Sequence, residues 1–317
     1  MTKILVLGGT GFVGSHLCQK LAQLSWRVTL PTRHRESAKH LQTLPLLDVM
    51  IADVHDPVAL TRLVAGHDAV VNLVAILHGD EARFNRVHVE LAQTIAKACQ
   101  AADVKRLIHV SALGASLDAP SMYQRSKARG DLALQAAGLD LTVLRPSVIF
   151  GAEDRFLNMF AKLQQLFPVI PLAGASTRFQ PVWVDDVAQA IVNCLLRKET
   201  SGMVYDICGP DILTLKQLVQ LSGCSSGVNR GKGRPVFELP MALGRLQAAL
   251  MALAPGEPLM SRDNLDSMQV DNVTDGRLPG LLSLGISPGS VAAIAPQYLS
   301  AGSKQSEFQG LRAHAGR

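Results

Sequence analysis

Short stretches at residues 3–7 (KILVL), 27–30, 47–51, 69–74, 106–110 and 141–144 are almost continuously apolar. Strands that alternate apolar and polar positions present one face to water, whereas unbroken apolar runs are what parallel strands covered on both faces require. Longer stretches with helical spacing separate them. Phe84, Val87, Leu91, Ile95 and Ala98 recur three or four residues apart and predict one buried stripe on a helix. A β-α-β-α order of this kind predicts an α/β, doubly wound parallel sheet with right-handed crossovers.

The pattern loosens beyond Gly151. The spacing predicts a helix over 153–167, with Phe156, Phe160, Leu163 and Phe167 on one face and Pro168 and Pro171 ending it. A second helix is expected over 185–196, opened by Asp185 and Asp186, and a third from an N-cap at Thr214 to Leu221. Residues 222–234 read as a Gly/Ser/Lys-rich loop, and the chain divides as 1–150, a smaller C-terminal lobe at 151–299 and a flexible tail at 300–317.

Directly after the first run comes GGTGFVGSHL, in which Gly8, Gly11 and Gly14 form Gly-x-x-Gly-x-x-Gly between a strand and a helix. The first glycine permits the tight turn, the second lets backbone approach a pyrophosphate, and the third lets helix and strand pack closely. The helix end then offers N–H donors and the positive end of its dipole to the anion. This context predicts a Rossmann-type fold and a dinucleotide site around Gly8, Thr10, Gly11, Phe12, Val13 and Gly14.

The second strand addresses which dinucleotide. A carboxylate at its end would accept the ribose 2′-hydroxyl of NAD, but the sequence reads Leu30-Pro31-Thr32-Arg33-His34-Arg35. A guanidinium suits a 2′-phosphate, so NADP(H) is expected over NAD(H), with Arg33 as its contact.

Tyr123 and Lys127, four apart on a predicted helix, share one face. An ammonium beside a phenol favours the phenolate and makes it a usable acid/base. In the short-chain dehydrogenase/reductase superfamily, which the chain resembles, a serine or threonine just after the fifth strand orients the substrate oxygen beside such a pair. There the chain reads Val110-Ser111-Ala112, which aligns Ala112 with the hydroxyl and leaves Ser111 one residue early. Side chains alternate along a strand, so that shift turns Ser111 toward the other face.

Several stretches together resemble one branch of the short-chain dehydrogenase/reductase superfamily: GGTGFVG, VSALGAS, YQRSKARGD, LRPSVIFGAEDRFLN, FQPVWVDDVAQAI and YDICGPDILTLKQLV. This is the atypical, extended type named NAD-dependent epimerase/dehydratase, and within it the group containing the NADPH-binding accessory subunit of respiratory complex I and its bacterial relatives. The resemblance implies that Asp53 and Val54 meet the adenine, and that Leu73, Val74 and Ala75 line the cofactor. It further implies that Lys127 holds the nicotinamide ribose and that Pro146, Ser147 and Val148 pass near the nicotinamide. Two functions follow as alternatives. One is an oxidoreductase or epimerase acting on a carbonyl or alcohol carbon, with Tyr123, Lys127 and Ser111 as the reacting set. The other is a non-catalytic nucleotide-binding accessory or assembly protein of a membrane-associated respiratory complex.

Composition narrows the partners. Aromatics are 4% of residues, too few for base-stacking platforms, so nucleic acid is not expected despite a net charge of +5. The basic residues are dispersed and suit an anionic ligand or lipid surface as well as a solvated face. The histidines and cysteines lack metal-ligand spacing, and no metal is expected. Five unclustered cysteines fit a reducing, cytoplasmic compartment, and a strand at the N-terminus leaves no room there for a signal peptide. Residues 241–254 (MALGRLQAALMALA) are too short to span a bilayer and suit a packed helix or one lying at the inner face of a membrane. Phe156, Met159, Phe160 and Leu163 are candidates for the wall of a partly apolar substrate site, or for lobe core.

Overall fold

A computed structural model describes residues 1–245 and 261–300. The predicted tail and most of the 241–254 segment lie outside the described residues. The chain forms two compact units.

The first unit comprises Met1–Pro146, Val184–Ile207 and Thr274–Ser287. Its seven-stranded sheet is built from β1 (Lys3–Leu7), β2 (Arg27–Thr32), β3 (Leu47–Ile51), β4 (Ala69–Asn72), β5 (Arg106–Val110), β6 (Asp140–Pro146) and the strand Val204–Ile207. The spatial order is β3-β2-β1-β4-β5-β6 followed by Val204–Ile207, and every pairing is parallel. The order reverses at β1, and doubly wound sheets bind their ligands at the carboxyl ends of strands flanking such a switch.

Helices α1 (Phe12–Gln23), α2 (Pro57–Val64), α3 (Glu81–Phe84), α4 (Leu91–Ala101) and α5 (Met122–Gln135) connect the strands. The expected helical stripe is present with one correction. Phe84, Leu91, Ile95 and Ala98 are buried, but the inward position between the first two belongs to His88 and not to Val87. A π-helical turn, Asn85–Glu90, joins α3 to α4. Its wider turn advances the inward position by one residue.

The chain enters the second unit at Ser147, four residues before the expected boundary, because β6 runs on to Pro146. It then returns to the first unit with the helix Val184–Leu196 and the strand Val204–Ile207, and again with Thr274–Ser287. Asp206 N–H donates to Pro279 O at 3.0 Å, Thr274 Oγ1 donates to Asp206 Oδ2 at 2.7 Å, and Asn193 Nδ2 donates to Leu284 O at 2.9 Å. These bonds fasten the last return to the edge strand Val204–Ile207 and to the helix Val184–Leu196.

The second unit holds Ser147–Trp183 together with the described residues of Cys208–Val273 and Pro288–Arg317. The helix expected over 153–167 is shorter, Leu157–Leu166. Asp154 explains the delay, since its carboxylate accepts the amides of Gly151, Phe156 and Asn158 and the Tyr298 hydroxyl, so it caps the helix from outside. Phe156, Met159, Phe160 and Leu163 pack into this unit's hydrophobic core with Leu218 and Val219, the second of the two roles expected for them. Phe167 leaves the stripe because its backbone is extended, with φ −111° and ψ 140°. Thr214 caps its helix through a reciprocal bond with Gln217, and that helix continues to Ser225, so the loop begins later than expected. Cys18, Cys99, Cys194 and Cys208 are buried thiols, while Cys224 is exposed.

Candidate functional site

The glycine turn is built for close approach of backbone. Gly8 adopts φ +78°, and a Cβ there would lie 3.1 Å from Leu73 C and Val74 N, so β1 and β4 meet at this point. A Cβ on Gly14 would fall within 2.6 Å of the Gly9 carbonyl carbon, which is how α1 sits directly on the turn. Gly9, not singled out from the sequence, faces the Leu30 side chain, and a Cβ there would lie 2.8 Å from Leu30 Cδ1. Gly11 is different. A Cβ there would meet only Gly8 O, at 3.2 Å, so its missing side chain leaves open space above the helix. Gly11 is also the N-cap of α1 and supplies no side-chain cap, leaving the first-turn amides of Phe12, Val13 and Gly14 to an outside acceptor. This cradle fits a pyrophosphate; Thr10 lies half-buried within it.

At the end of β2, Thr32 is buried and spends its hydroxyl on the next turn, donating to His34 O at 3.0 Å. Arg33 is exposed. Burial, opposed by Asp53, lowers the pKa of His55, and the charges of Arg86 and Arg33 push it lower still. Arg33 and Arg86 thus both act on His55. Arg86 was not anticipated, because it reaches this place from the π-turn, which the sequence did not reveal. Asp53 is exposed and accepts the His55 amide at 3.0 Å, with Val54 half-buried behind it. Asp56, in contrast, is the N-cap of α2.

Leu73 and Val74 are half-buried and Ala75 is exposed after β4. The Val74 amide donates to Asn72 Oδ1 at 3.1 Å, and the Ile76 amide donates to His88 Nε2 at 3.2 Å. His88 Nδ1 lies 2.8 Å from Ser126 Oγ, which itself donates to Tyr123 O at 2.8 Å. These partners fix the neutral tautomer with the proton on Nδ1 and tie the β4 loop to the turn of α5 that carries Tyr123. The His88 ring stands edge-on to Tyr123, with centroids 5.6 Å apart. Gly130 allows α5 to come this close, because a Cβ there would strike His88 O.

Burial, with smaller contributions from Lys127 and His109, lowers the His88 pKa to about 3. A histidine whose folded pKa lies below its unfolded value of ~6.5 binds fewer protons in the native state. Its contribution therefore diminishes as pH falls from the unfolded value toward about 3. The slope is at most ~1.4 kcal/mol per pH unit for one group. We expect His88→Gln, which keeps a donor and an acceptor, to flatten the decline in stability over this window, as measured by urea unfolding at successive pH values.

Tyr123 is half-buried and Lys127 is fully buried on one face of α5. Lys127 Nζ donates to Val110 O at 2.8 Å. Burial, opposed by Asp131, brings its pKa down to about 8. Burial and then the Asp131 charge push the Tyr123 phenol up to about 12, the reverse of the expected activation. Desolvation is the largest cause for both groups, so in the protein alone Tyr123 is a proton donor at neutral pH.

Ser111 is buried, its hydroxyl has no hydrogen bond of normal geometry, and it lies toward the Asp131 carboxylate. Ala112 follows it, also buried. Asp131 is the hub of a polar cluster that sequence reasoning missed. Its Oδ2 takes Arg145 Nη2 at 3.0 Å, and His109 Nε2 lies 3.4 Å from its Oδ1. His109 Nδ1 lies 3.1 Å from Asn72 Nδ2. Burial raises the Asp131 pKa, but His109, Ser111 and Lys127 together outweigh it and hold the carboxyl below its usual range. Pro146 ends β6 and its carbonyl accepts the Leu113 amide at 2.9 Å. Within the second unit Ser147 Oγ donates to Asn272 Oδ1 at 2.6 Å, and the Val148 amide donates to the same oxygen at 3.3 Å. Among the described residues no group of histidine, cysteine and acidic side chains could hold a metal ion.

A glycine-turned, switch-point dinucleotide cradle beside a Tyr-x-x-x-Lys helix defines a protein of the short-chain dehydrogenase/reductase class. The sequence matches the NAD dependent epimerase/dehydratase family over residues 4–208, and the chain belongs to that family. The chain is 33% identical over 292 residues to NADH dehydrogenase (ubiquinone) 1 alpha subcomplex subunit 9, mitochondrial, of Mus musculus, covering 89% of this chain and 76% of the mouse protein. It is 31% identical to the ceramide reductase of Caulobacter vibrioides over 202 residues, 63% of each chain. The dTDP-glucose 4,6-dehydratase DesIV of Streptomyces venezuelae, solved with NAD bound, superimposes with a TM-score of 0.66 at 25% identity, covering 75% of this chain and 84% of that one. Binding of a nicotinamide dinucleotide is common ground for the family and for this cradle. No helix among the described residues is long and apolar enough to cross a membrane.

Proposed function

We propose that the chain binds NADP(H) in preference to NAD(H) and keeps it as a structural ligand within a respiratory membrane assembly. The observation that carries the second half of this reading is the missing hydroxyl after β5: Ala112 offers none, and the Ser111 hydroxyl one residue earlier is buried without a hydrogen-bond partner. A bound nicotinamide supplies a hydride donor or acceptor, but a carbonyl oxygen also needs a proton and an orienting donor. Tyr123 can give the proton, but Ala112, at the position of the second donor, has no hydroxyl to offer. Similarity to the mitochondrial NADH dehydrogenase subunit over most of both chains supports the assembly. For the cofactor, support comes from the uncapped α1 terminus, from Thr32 where an acid would bind the 2′-hydroxyl, and from Arg33 and Arg86, both of which lower the pKa of His55.

Calorimetry with NADPH and NADH tests the cofactor. The wild type should prefer NADPH, and Arg33→Ala and Arg86→Ala should each erode that preference by about tenfold, the scale of a lost charge-assisted hydrogen bond, with NADH affinity unchanged. Equal affinities in the wild type would refute the preference.

The Tyr123–Lys127 pair favours a second reading, an oxidoreductase or epimerase acting on a carbonyl or alcohol carbon, and the ceramide reductase relative suggests a partly apolar substrate. Tyr123→Phe separates the two. Under the first reading the protein keeps its nucleotide and its co-purification with the respiratory complex, whereas under the second it loses hydride transfer.

A further inference from the structure

In the second unit, four large apolar side chains that could have been buried stand in water. Leu166 is 75% exposed, Phe167 52%, Val169 43% and Phe237 58%. They are neighbours by construction. The strand Val236–Leu239 runs parallel to Ile170–Ala173 with Phe237 opposite Pro171. The register places Pro171 and Phe237 on one side of this two-stranded ribbon, and Val169 directly precedes its first strand. Leu166 and Phe167 close the helix that feeds into it. Scattered single exposures are ordinary, but a contiguous group of this size marks an interaction surface.

Positive charge borders the group. The turn before the second strand carries Arg230 and Lys232, both exposed. Asn229 and Arg230 adopt φ 52° and 58°, between Gly227 at 73° and Gly231 at 80°. Non-glycine residues in the left-handed region are strained, and such strain persists where the surrounding structure enforces it. Here the Gly233 amide donates to Val228 O at 3.0 Å, and Asn229 Nδ2 donates to Gly233 O at 3.1 Å. Gln164 then fixes the turn beside the apolar group, since its Oε1 accepts the Arg234 amide at 2.7 Å and its backbone carbonyl accepts Arg234 Nε at 3.3 Å. Glu238, the acid of this strand, alternates to the other side of the ribbon.

We infer that this surface docks on an anionic lipid bilayer, with Leu166, Phe167, Val169 and Phe237 entering the interface and Arg230 and Lys232 meeting the headgroup phosphates. Apolar side chains bordered by cations are the chemistry that an anionic interface selects, because burial supplies affinity and charge supplies preference. The inference deepens the membrane reading above by naming the surface and the lipid class, and it is independent of which nucleotide binds.

The test is co-sedimentation of the full chain with vesicles of phosphatidylcholine alone or mixed with phosphatidylglycerol. The wild type should pellet with the mixed vesicles only, and added salt should release part of it. F167D/F237D should abolish pelleting, and R230E/K232E should weaken it about tenfold or more, with melting temperatures and NADPH affinities like those of the wild type. Absence of pelleting, equal pelleting with neutral vesicles, or wild-type behaviour in well-folded variants would overturn the inference. Light scattering that showed a wild-type dimer dispersed by F167D/F237D would assign the surface to a second copy and also overturn it. Should NADPH fail to bind any form, the nucleotide reading falls while the vesicle result stands by itself.

Discussion

Gly11→Asp should abolish dinucleotide binding and leave the melting temperature close to that of the wild type. A side chain at Gly11 meets only Gly8 O and otherwise points into open space. The carboxylate would occupy the space over the α1 terminus and compete with a pyrophosphate for the same amides. Like charges at contact distance cost several kcal/mol even at a partly screened site, which means an affinity loss of more than about a hundredfold. Gly14→Ala should behave differently, because its methyl group falls on the Gly9 carbonyl carbon at 2.6 Å, and backbone cannot step aside as a flexible side chain can. There α1 must lift from the turn, so stability and binding should fall together, with a drop in melting temperature of several degrees. Calorimetry beside a thermal melt of each variant checks both. If Gly11→Asp kept its affinity, the cradle would be a tight turn and nothing more.

Asp131→Ala carries the largest expected cost to stability. The carboxylate is 1% exposed and faces a guanidinium, a histidine and a buried ammonium. Deleting one partner of a buried charge group leaves the others uncompensated, a loss of about 3–5 kcal/mol. Arg145 keeps some contact with water and offsets part of it. Asp131→Asn should recover a portion, since an amide still accepts from Arg145. Because the folded carboxyl lies below its unfolded value of ~3.9, its contribution is present above that pH and disappears as the folded group protonates below it. Chemical denaturation at pH 7 measures the loss, and acid titration of the wild type should show the matching decline. A change below 1 kcal/mol would mean that Asp131 is dispensable to the fold.

The parallel sheet was legible because its evidence is periodic and local. Unbroken apolar runs separated by helical stretches permit few other arrangements, and the runs at 3–7, 47–51 and 106–110 coincide with β1, β3 and β5. Gly8, Gly11 and Gly14 were readable for a similar reason, since each performs a backbone task that no other residue performs as well. Features that depend on a change of register or on distant partners were hidden. The π-turn leaves no mark in a pattern of apolar positions, so Val87 was expected where His88 lies, and Arg86 was overlooked. Asp131 had a signal, being four residues beyond Lys127 on one helix face, but its value comes from Arg145 and His109 on β6 and β5. Tyr123 was read with its lysine and without its burial, and burial sets its protonation.

The two returns of the chain to the first unit also bear on how the protein is made. β6 has an unpaired edge until Val204–Ile207 leaves the ribosome, and the bonds that close this side come from Asn193, Asp206, Thr274 and the 279–284 stretch. Translation must therefore pass through a long interval in which an apolar strand edge waits for its neighbour, a state open to mispairing between nascent chains. Expression of residues 1–146 as a separate nucleotide-binding fragment would hold the polypeptide in that interval permanently.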